Sequence, residues 1–228
     1  MRQHPRISPA PGNPGEGWGR GLGRNWPGNR AVNETPATFR PFLTVVAGRP
    51  GSGKTTLARA LAQQFRCPLI SRDEIKEGLV NSLASASAET DATQRHANDV
   101  FFNTIELLLQ RGVTLVAEAA FQHKLWSPRL QLLLPVAKTR IILCSIDPQL
   151  ARSRHIQRGL ADPERERFHG DVVVQAAREG REVPIEEYDP PKFDVPILEV
   201  DTTDGYLPEF ARILAFARGT SEANRARG

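Results

Sequence analysis

The amino-acid sequence predicts an α/β fold in which helices cover both faces of a five-stranded parallel sheet. From Phe42 onward, short apolar runs rich in β-branched residues alternate with segments of helical periodicity, which is the pattern of a parallel sheet with helical connections. A glycine-rich segment at 48–55 separates the first run from the first helical segment and marks a tight strand-to-helix turn. The predicted strands are residues 43–47, 68–70, 113–117, 139–145 and 197–200.

Helical segments fill the spaces between these strands. Two of them begin with a cap residue followed by proline at the first helical position, Ser127 with Pro128 and Asp147 with Pro148. Residues 160–193 are polar and charged and contain prolines, so we expect a mobile flap with a short helix near 171–180. The predicted helices are residues 54–65, 73–83, 91–111, 127–136, 148–159 and 208–218.

The two ends of the chain differ in composition from the part between them. Residues 1–40 are dense in glycine, proline, asparagine and arginine and lack an apolar period, so we expect a disordered tail; we also expect disorder at 221–228. Residues 41–220 then form one domain. The tail has six arginines and two glutamates and accounts for the whole net charge of +4. A neutral remainder does not favour nucleic-acid binding.

Composition also indicates the cellular setting. No stretch approaches the roughly 20 apolar residues that a membrane helix needs, and the tail lacks the apolar core of a secretory signal. Cys67 and Cys144 lie beside and within apolar runs, where buried, reduced thiols are expected. We therefore predict a cytoplasmic protein without a membrane partner.

The glycine-rich segment GRPGSGKT, residues 48–55, fits the pattern G-x-x-x-x-G-K-[ST] between a strand and a helix. Its glycines allow successive backbone N–H groups to point inward, and the helix N-terminus adds its positive dipole end. Lys54 would hold the β and γ phosphates, and Thr55 would ligate Mg²⁺. The pattern predicts a P-loop NTPase fold that binds ATP and Mg²⁺ through Gly48, Arg49, Pro50, Gly51, Ser52, Gly53, Lys54, Thr55 and Thr56.

A P-loop does not by itself specify a reaction. A regulatory GTPase should have an Asn-Lys-x-Asp guanine motif, and the sequence contains none. A ring-forming ATPase should have an Asp-Glu pair at the end of a strand and a helical second domain. Here the segment LVAEAA has one acid, Glu118, and too little chain follows it.

An acidic residue after the second predicted strand suggests chemistry. Ser71 stands three residues before Glu74, the spacing of a capping box, which would begin a helix with Asp73 in its first turn. The helix dipole would stabilise that carboxylate, so a structural role is the alternative. However, ligands bind at the carboxyl ends of parallel strands, and the like charges of Arg72 and Lys76 favour an anion between them. We expect Asp73 to accept the proton of an attacking hydroxyl.

The helix after Pro148 is rich in arginine. Arg152, Arg154 and Arg158 lie within two turns, with no acid from 148 to 161. A solvated helix face is the alternative, but arginine matches phosphate oxygens and the polar flap follows directly. We predict an arginine-containing lid at about 150–193, in which Arg158, together with Arg154 and Arg152, neutralises charge on the transferred group; Arg154 would also bind the nucleotide.

These motifs together resemble a known family. GRPGSGKTTLARALAQQF, PLISRDEIKEGL and the arginine helix ending in Arg-x-x-x-Arg-Gly resemble the P-loop kinases grouped around the 5′-hydroxyl polynucleotide kinase domain, an AAA-type ATP-binding kinase-like group, with gluconate kinase more distant. The resemblance covers roughly residues 42–205. It implies that Asp73 is the catalytic aspartate, that Lys76 lies near the scissile phosphate and that Arg158 reaches the ATP phosphates.

The resemblance also has two departures. Lys76 and Glu118 stand where the family commonly has arginine and aspartate, and the change in reach concerns the acceptor more than the reaction. Glu118 would lie close to acceptor or metal, and adenine would bind near the loop VDTTDG at 200–205.

The predicted function is an ATP- and Mg²⁺-dependent kinase whose acceptor is a hydroxyl of a small molecule or of a 5′-hydroxyl nucleic acid. Lys54, Asp73 and Arg158 would be catalytic, and Arg72, Lys76 and Glu118 would face the acceptor. The neutral domain favours the small acceptor, since it offers no cationic channel for a strand. The alternative is an ATP-binding switch or accessory ATPase whose output is binding.

Overall fold

The computed structural model describes residues 40–82 and 91–220. The expected disorder at 1–40, Arg40 excepted, and at 221–228 lies outside the described residues, as does the end of the helix expected at 73–83. The sheet has five parallel strands in the order β2-β3-β1-β4-β5, which confirms the predicted fold class. These strands are β1 (Phe42–Ala47), β2 (Leu69–Ser71), β3 (Leu115–Ala119), β4 (Lys138–Ser145) and β5 (Ile197–Asp201).

Strand β3 begins two residues later than its apolar run. The hydroxyl of Thr114 accepts a hydrogen bond from the backbone N–H of Phe42 at 3.1 Å, and the ladder with β1 starts only at the pair Leu43 and Leu115. As a consequence Glu118 lies within β3, opposite Val46 on one side and Ser71 on the other.

Eight helices connect and follow the strands in the described part of the chain. They are α1 (Lys54–Phe65), α2 (Arg72–Ser82), α3 (Asp91–Gln110), α4 (His123–Leu133), α5 (Pro148–Ala161), α6 (Pro163–His169), α7 (Val172–Arg178) and α8 (Phe210–Arg218). The segment 160–193 therefore contains two short helices, α6 and α7, where the sequence suggested one. Among the residues described here, no helix has both the length and the apolar character needed to cross a bilayer.

Two helix starts differ from the prediction. Helix α4 begins at His123 rather than at 127, because the N–H groups of Leu125 and Trp126 already bond to the carbonyl of Gln122; Pro128 lies inside the helix. Helix α8 begins at Phe210 rather than at 208. Leu207 and Asp201 exchange backbone hydrogen bonds of 2.8 and 2.9 Å, so Leu207 forms an isolated β-bridge with the end of β5 and the helix starts after it.

Apolar side chains form a cluster on each face of the sheet. Val45 packs with Phe101 and Trp126 of α3 and α4, whereas its neighbour Val46 packs with Leu57 of α1 and Ile213 of α8. Successive residues of a strand point to opposite faces, so the two clusters require helices on both sides. Each fully buried large aliphatic side chain contributes roughly 1.5–3 kcal/mol to folding.

Candidate active site

The P-loop, residues 48–55, connects the end of β1 to α1. Gly51 has φ 82°, and a Cβ atom at this position would lie 1.9 Å from the carbonyl oxygen of Ala151 in α5. Gly53 has φ 75° and immediately precedes α1. Glycine is therefore required for two reasons. Gly51 and Gly53 both have a left-handed backbone, and at Gly51 a side chain would clash with α5.

Thr202, just after β5, holds the P-loop from outside. Its hydroxyl lies 2.8 Å from the carbonyl oxygen of Ser52 and 3.1 Å from that of Ser145, and the residue is 5% exposed. One side chain thus ties the P-loop to the carboxyl end of β4. The sequence places Thr202 in the loop expected to bind adenine and does not predict this contact; a threonine directly after a strand at the binding edge was the available signal.

Glu118 connects the P-loop to the end of β2. It is 1% exposed, and its Oε1 lies 3.4 Å from Lys54 Nζ and 3.3 Å from Thr55 Oγ1. The hydroxyl of Ser71 donates to Oε2 at 2.9 Å. Alternation along β3 explains this position, because Val116 packs on the α1 face and Glu118, two residues later, points the same way.

The residues of this cluster fit a magnesium nucleotide. A left-handed glycine loop, a buried ammonium, the hydroxyl of Thr55 and the carboxylate of Glu118 are the groups that hold phosphates and a hard cation. Mg²⁺ usually takes one or two protein ligands and keeps phosphate oxygens and waters.

Two buried groups border the P-loop. Burial raises the pKa of the Cys144 thiol to about 12, so this residue stays protonated at neutral pH. The guanidinium of Arg49 lies 5.7 Å from the ring centre of Tyr188, and burial raises the pKa of that phenol. Arg49 therefore rests on the chain that follows α7.

Asp73 lies in the first turn of α2, next to the end of β2. Its side chain is 33% exposed, and its carboxylate lies 3.6 Å from the guanidinium of Arg72. The expected capping hydroxyl of Ser71 belongs to β2 and donates to Glu118. That bond joins the start of α2, and with it Asp73, to the residue that contacts Lys54 and Thr55.

Arg72 and Lys76 have protein partners. Arg72 donates from Nε to Asn98 at 3.0 Å and from Nη2 to Gln94, so α3 holds its guanidinium. The ammonium of Lys76 is buried and donates to the carbonyl of His169 at 2.7 Å. Burial, followed by the neighbouring charge of Arg72, lowers the pKa of Lys76.

A second contact joins α2 to α6. Glu77 Oε1 lies 2.6 Å from His169 Nε2, next to the bond from Lys76 to the same residue. His169, at the end of α6, therefore contacts two consecutive residues of α2 and links the two helices.

The three arginines of α5 point to three different partners. Arg152 donates to the carbonyl of Val183. Arg154 donates to the carbonyls of Thr202 at 3.0 Å and Thr203 at 2.7 Å. Arg158 is exposed, and its Nη2 lies 3.1 Å from Nδ1 of His155. Of the three arginines, Arg154 reaches the loop in which adenine was expected.

The strand order, the glycine loop after β1 and the contacts of Lys54 and Thr55 define a P-loop kinase-like domain of the P-loop NTPase fold. A family model described as an AAA domain matches residues 43–184, and the chain belongs to this family. A search of curated proteins gives no significant match.

Solved structures give the same fold. A proposed kinase from Chloroflexus aurantiacus has 28% identity and a TM-score of 0.64, over 79% of this chain and 98% of that chain. The APS kinase CysC of Mycobacterium tuberculosis, solved with AMPPNP and APS, has 16% identity and a TM-score of 0.54, over 80% and 98%. The structure of APE1195 has 17% identity and a TM-score of 0.54, over 79% and 96%. At the identities of the last two, the likeness concerns the fold alone.

Proposed function

We propose that the protein is a kinase that transfers the γ-phosphate of ATP to a hydroxyl of a small acceptor, with Mg²⁺ as cofactor. The observation that carries this proposal is the Glu118 cluster, which joins Lys54 and Thr55 of the P-loop to Ser71 at the end of β2, directly before α2. It brings the phosphate-binding residues and the Asp73 turn together at one edge of the sheet. The likeness to the proposed kinase of Chloroflexus aurantiacus supports the same reaction class.

The P-loop residues would bind and orient the nucleotide. Backbone N–H groups of 48–55 would donate to the α and β phosphates, and the ammonium of Lys54 would contact the β and γ phosphates. Thr55, with Glu118 beside it, would hold Mg²⁺, which when bound neutralises charge that develops on the phosphate oxygens. The contact between Lys54 and Glu118 holds the buried ammonium in position before nucleotide binds.

Asp73 would act on the acceptor. Its carboxylate would take the hydroxyl proton as the acceptor oxygen bonds to the γ-phosphorus, while the bond from that phosphorus to the bridging oxygen breaks and ADP leaves. A side chain that is 33% exposed at the binding edge can reach such a hydroxyl. Arg158, on the proposed lid formed by α5 to α7, would stabilise the transferred group.

A small acceptor fits the surroundings of Asp73 better than a nucleic acid strand. Residues 41–228 carry no net charge, since the tail holds the whole excess of basic residues, and phosphate backbones are bound through excess positive charge. Lys76 and Glu77 both contact His169, so α6 packs on α2 one turn beyond Asp73. Lys76 and Arg72, both held by protein partners, would then border the acceptor site and shape it.

The test uses purified protein, γ-labelled ATP with Mg²⁺, a metabolite extract and a set of 5′-hydroxyl oligonucleotides. A labelled small product supports the proposal, whereas a labelled oligonucleotide assigns the acceptor to nucleic acids. Slow ATP hydrolysis that no acceptor changes, together with a partner that binds only the ATP form, would identify an ATP-dependent switch instead.

The residue test is Asp73→Asn. ATP affinity should be retained because the P-loop is unchanged, and transfer should fall by at least ~10², the low end for loss of a general base. The matched control is Glu74→Gln on the same turn, whose exposed carboxylate pairs with Arg59 at 2.6 Å and should leave transfer intact. Unchanged transfer in Asp73→Asn would remove Asp73 from the mechanism.

A further inference from the structure

Three side chains of the α5–α7 region, Asp171, His155 and Arg158, form a continuous hydrogen-bonded chain. Asp171 Oδ2 lies 2.5 Å from His155 Nε2, and His155 Nδ1 lies 3.1 Å from Arg158 Nη2. The side chains of His155 and Asp171 are 14% and 24% exposed, whereas Arg158 is exposed. The chain therefore runs from a partly buried carboxylate to a guanidinium at the surface.

Arg158 determines which atoms donate and which accept along these hydrogen bonds. A guanidinium has only donors, so His155 Nδ1 must accept from Arg158, and the imidazole proton must then lie on Nε2. From there it donates to Asp171, whose charged oxygen can only accept. Burial by itself would raise the pKa of Asp171. The hydrogen bond from His155 and the other contacts of the carboxylate together outweigh this effect, so the pKa is lowered. The carboxylate thereby orients the ring for Arg158.

Asp171 is itself held in place by the helix that follows it. Its Oδ1 accepts from the backbone N–H of Val173 at 3.0 Å, which caps α7. Its own N–H donates to Glu166 Oε1 at 2.6 Å, and Glu166 is 8% exposed. One carboxylate thus uses one oxygen for the helix cap and the other for His155.

The same part of α5 packs on the P-loop. A Cβ atom on Gly51 would lie 1.9 Å from the carbonyl oxygen of Ala151 and 3.2 Å from the backbone nitrogen of His155. His155 therefore lies on the turn of α5 that covers the phosphate-binding loop. Arg158 lies less than one turn further along the helix. Arg158 therefore extends from α5 next to the turn that packs on the loop.

We propose that His155 and Asp171 are positioning residues that orient the guanidinium of Arg158 toward the transferred phosphate. This inference rests on the proposed function, in which Arg158 stabilises that phosphate. Asp171 orients His155, and His155 holds one Nη donor of Arg158. The geometry of α7 relative to α5 then decides where the arginine points.

The test compares the affinities of AMPPNP and ADP, measured by calorimetry with Mg²⁺, because the analogue retains a terminal phosphate that ADP lacks. Loss of a charge-assisted hydrogen bond to this phosphate should weaken AMPPNP about tenfold relative to ADP. Arg158→Ala should produce this loss in full. Asp171→Ser should produce most of it, since serine still caps α7 but is too short to reach His155. The melting temperature of Asp171→Ser should then stay close to that of the natural protein.

His155 provides the second pair of variants. His155→Phe removes both hydrogen bonds at similar volume and should reproduce the loss seen in Arg158→Ala. His155→Gln retains a donor and an acceptor and should recover part of the selectivity for AMPPNP. In the double variant Arg158→Ala with Asp171→Ser, the second change should add nothing, as expected for residues that act through one another.

The matched control is Asp147→Ser, because Asp147 caps α5 by accepting from Gln149 and Leu150 at 2.9 Å; it should leave the AMPPNP to ADP ratio unchanged. If Arg158→Ala lowers the ratio and Asp171→Ser does not, the positioning role is refuted while the proposed function stands. If Arg158→Ala leaves the ratio unchanged, the assigned role of Arg158 fails and this inference with it. If Asp171→Ser weakens AMPPNP and ADP equally and also lowers the melting temperature, Asp171 serves only the fold.

Discussion

Replacing Glu118 with glutamine removes one negative charge from the buried cluster beneath the P-loop. The carboxylate is 1% exposed and lies 3.4 Å from Lys54 Nζ, 3.3 Å from Thr55 Oγ1 and 2.9 Å from Ser71 Oγ. Glutamine has nearly the same shape, so it can keep hydrogen bonds to the two hydroxyls. Lys54, whose side chain is 6% exposed, loses the opposite charge of this pair.

The size of the effect follows from this burial. Breaking a buried ion pair by removing one partner costs about 3–5 kcal/mol, and the retained hydrogen bonds place this substitution near the low end, about 3 kcal/mol. For a domain of this size, 1 kcal/mol changes the melting temperature by about 2–4 °C, so Glu118→Gln should lower it by about 6–12 °C.

The assay is thermal unfolding at pH 7 without nucleotide, followed by circular dichroism. The double variant Lys54→Met with Glu118→Gln should melt above Glu118→Gln, because an uncompensated buried charge is removed. Glu74→Gln, which changes the same functional group in the exposed pair with Arg59, should shift the melting temperature by less than about 2 °C. A shift of that small size in Glu118→Gln would refute the buried pairing of Lys54 and Glu118.

Three further perturbations test the surroundings of the P-loop. Thr202→Val removes the hydroxyl that donates to the Ser52 carbonyl, whereas the Ser145 carbonyl keeps the backbone N–H of residue 202; the loss should cost about 1–3 kcal/mol in urea unfolding. Stability within 0.5 kcal/mol, roughly the range of a neutral surface change, would contradict this role. Gly51→Ala places a methyl group 1.9 Å from the carbonyl oxygen of Ala151, at a residue whose φ is 82°. It should displace α5 and weaken binding of a fluorescent ATP analogue. Unchanged affinity would show that the loop tolerates the methyl group. At pH 8.5, iodoacetamide should alkylate the half-buried Cys67 well before Cys144, whose pKa burial raises to about 12; equal rates by mass spectrometry would contradict the burial of Cys144.

The strand pattern predicts the order of the elements well but their ends less well. The apolar run at 113–117 does not show that pairing with β1 begins only at Leu115. That shift of two residues moves Glu118 from the loop into the strand, where it faces α1. Ladder register depends on the neighbouring strand, and a run of β-branched residues is compatible with more than one register.

Helix starts show the same limit. Asp147 before Pro148 predicts the start of α5 correctly, since the carboxylate caps the helix by accepting from Gln149 and Leu150. Ser127 before Pro128 has the same local signal, yet α4 begins at His123 and Pro128 lies inside it. Trp126 packs against the aromatic rings of α3, and this packing favours a helical conformation for the turn before Ser127. The packing depends on a distant helix and not on the local sequence.

The sequence by itself determined the P-loop, because its geometry is set by contiguous residues: glycines that allow a left-handed backbone, and a lysine and a threonine at the start of α1. The tertiary structure decided the partners. Arg152 and Arg154 look equivalent along the helix, but α5 packs between two other segments, so Arg152 reaches Val183 and Arg154 reaches Thr202. Arg158 contacts His155 within the same helix, and the contact of His155 with Asp171 comes from packing against α7. Spacing along a helix gives the direction of each side chain relative to the helix, and only packing determines what lies there.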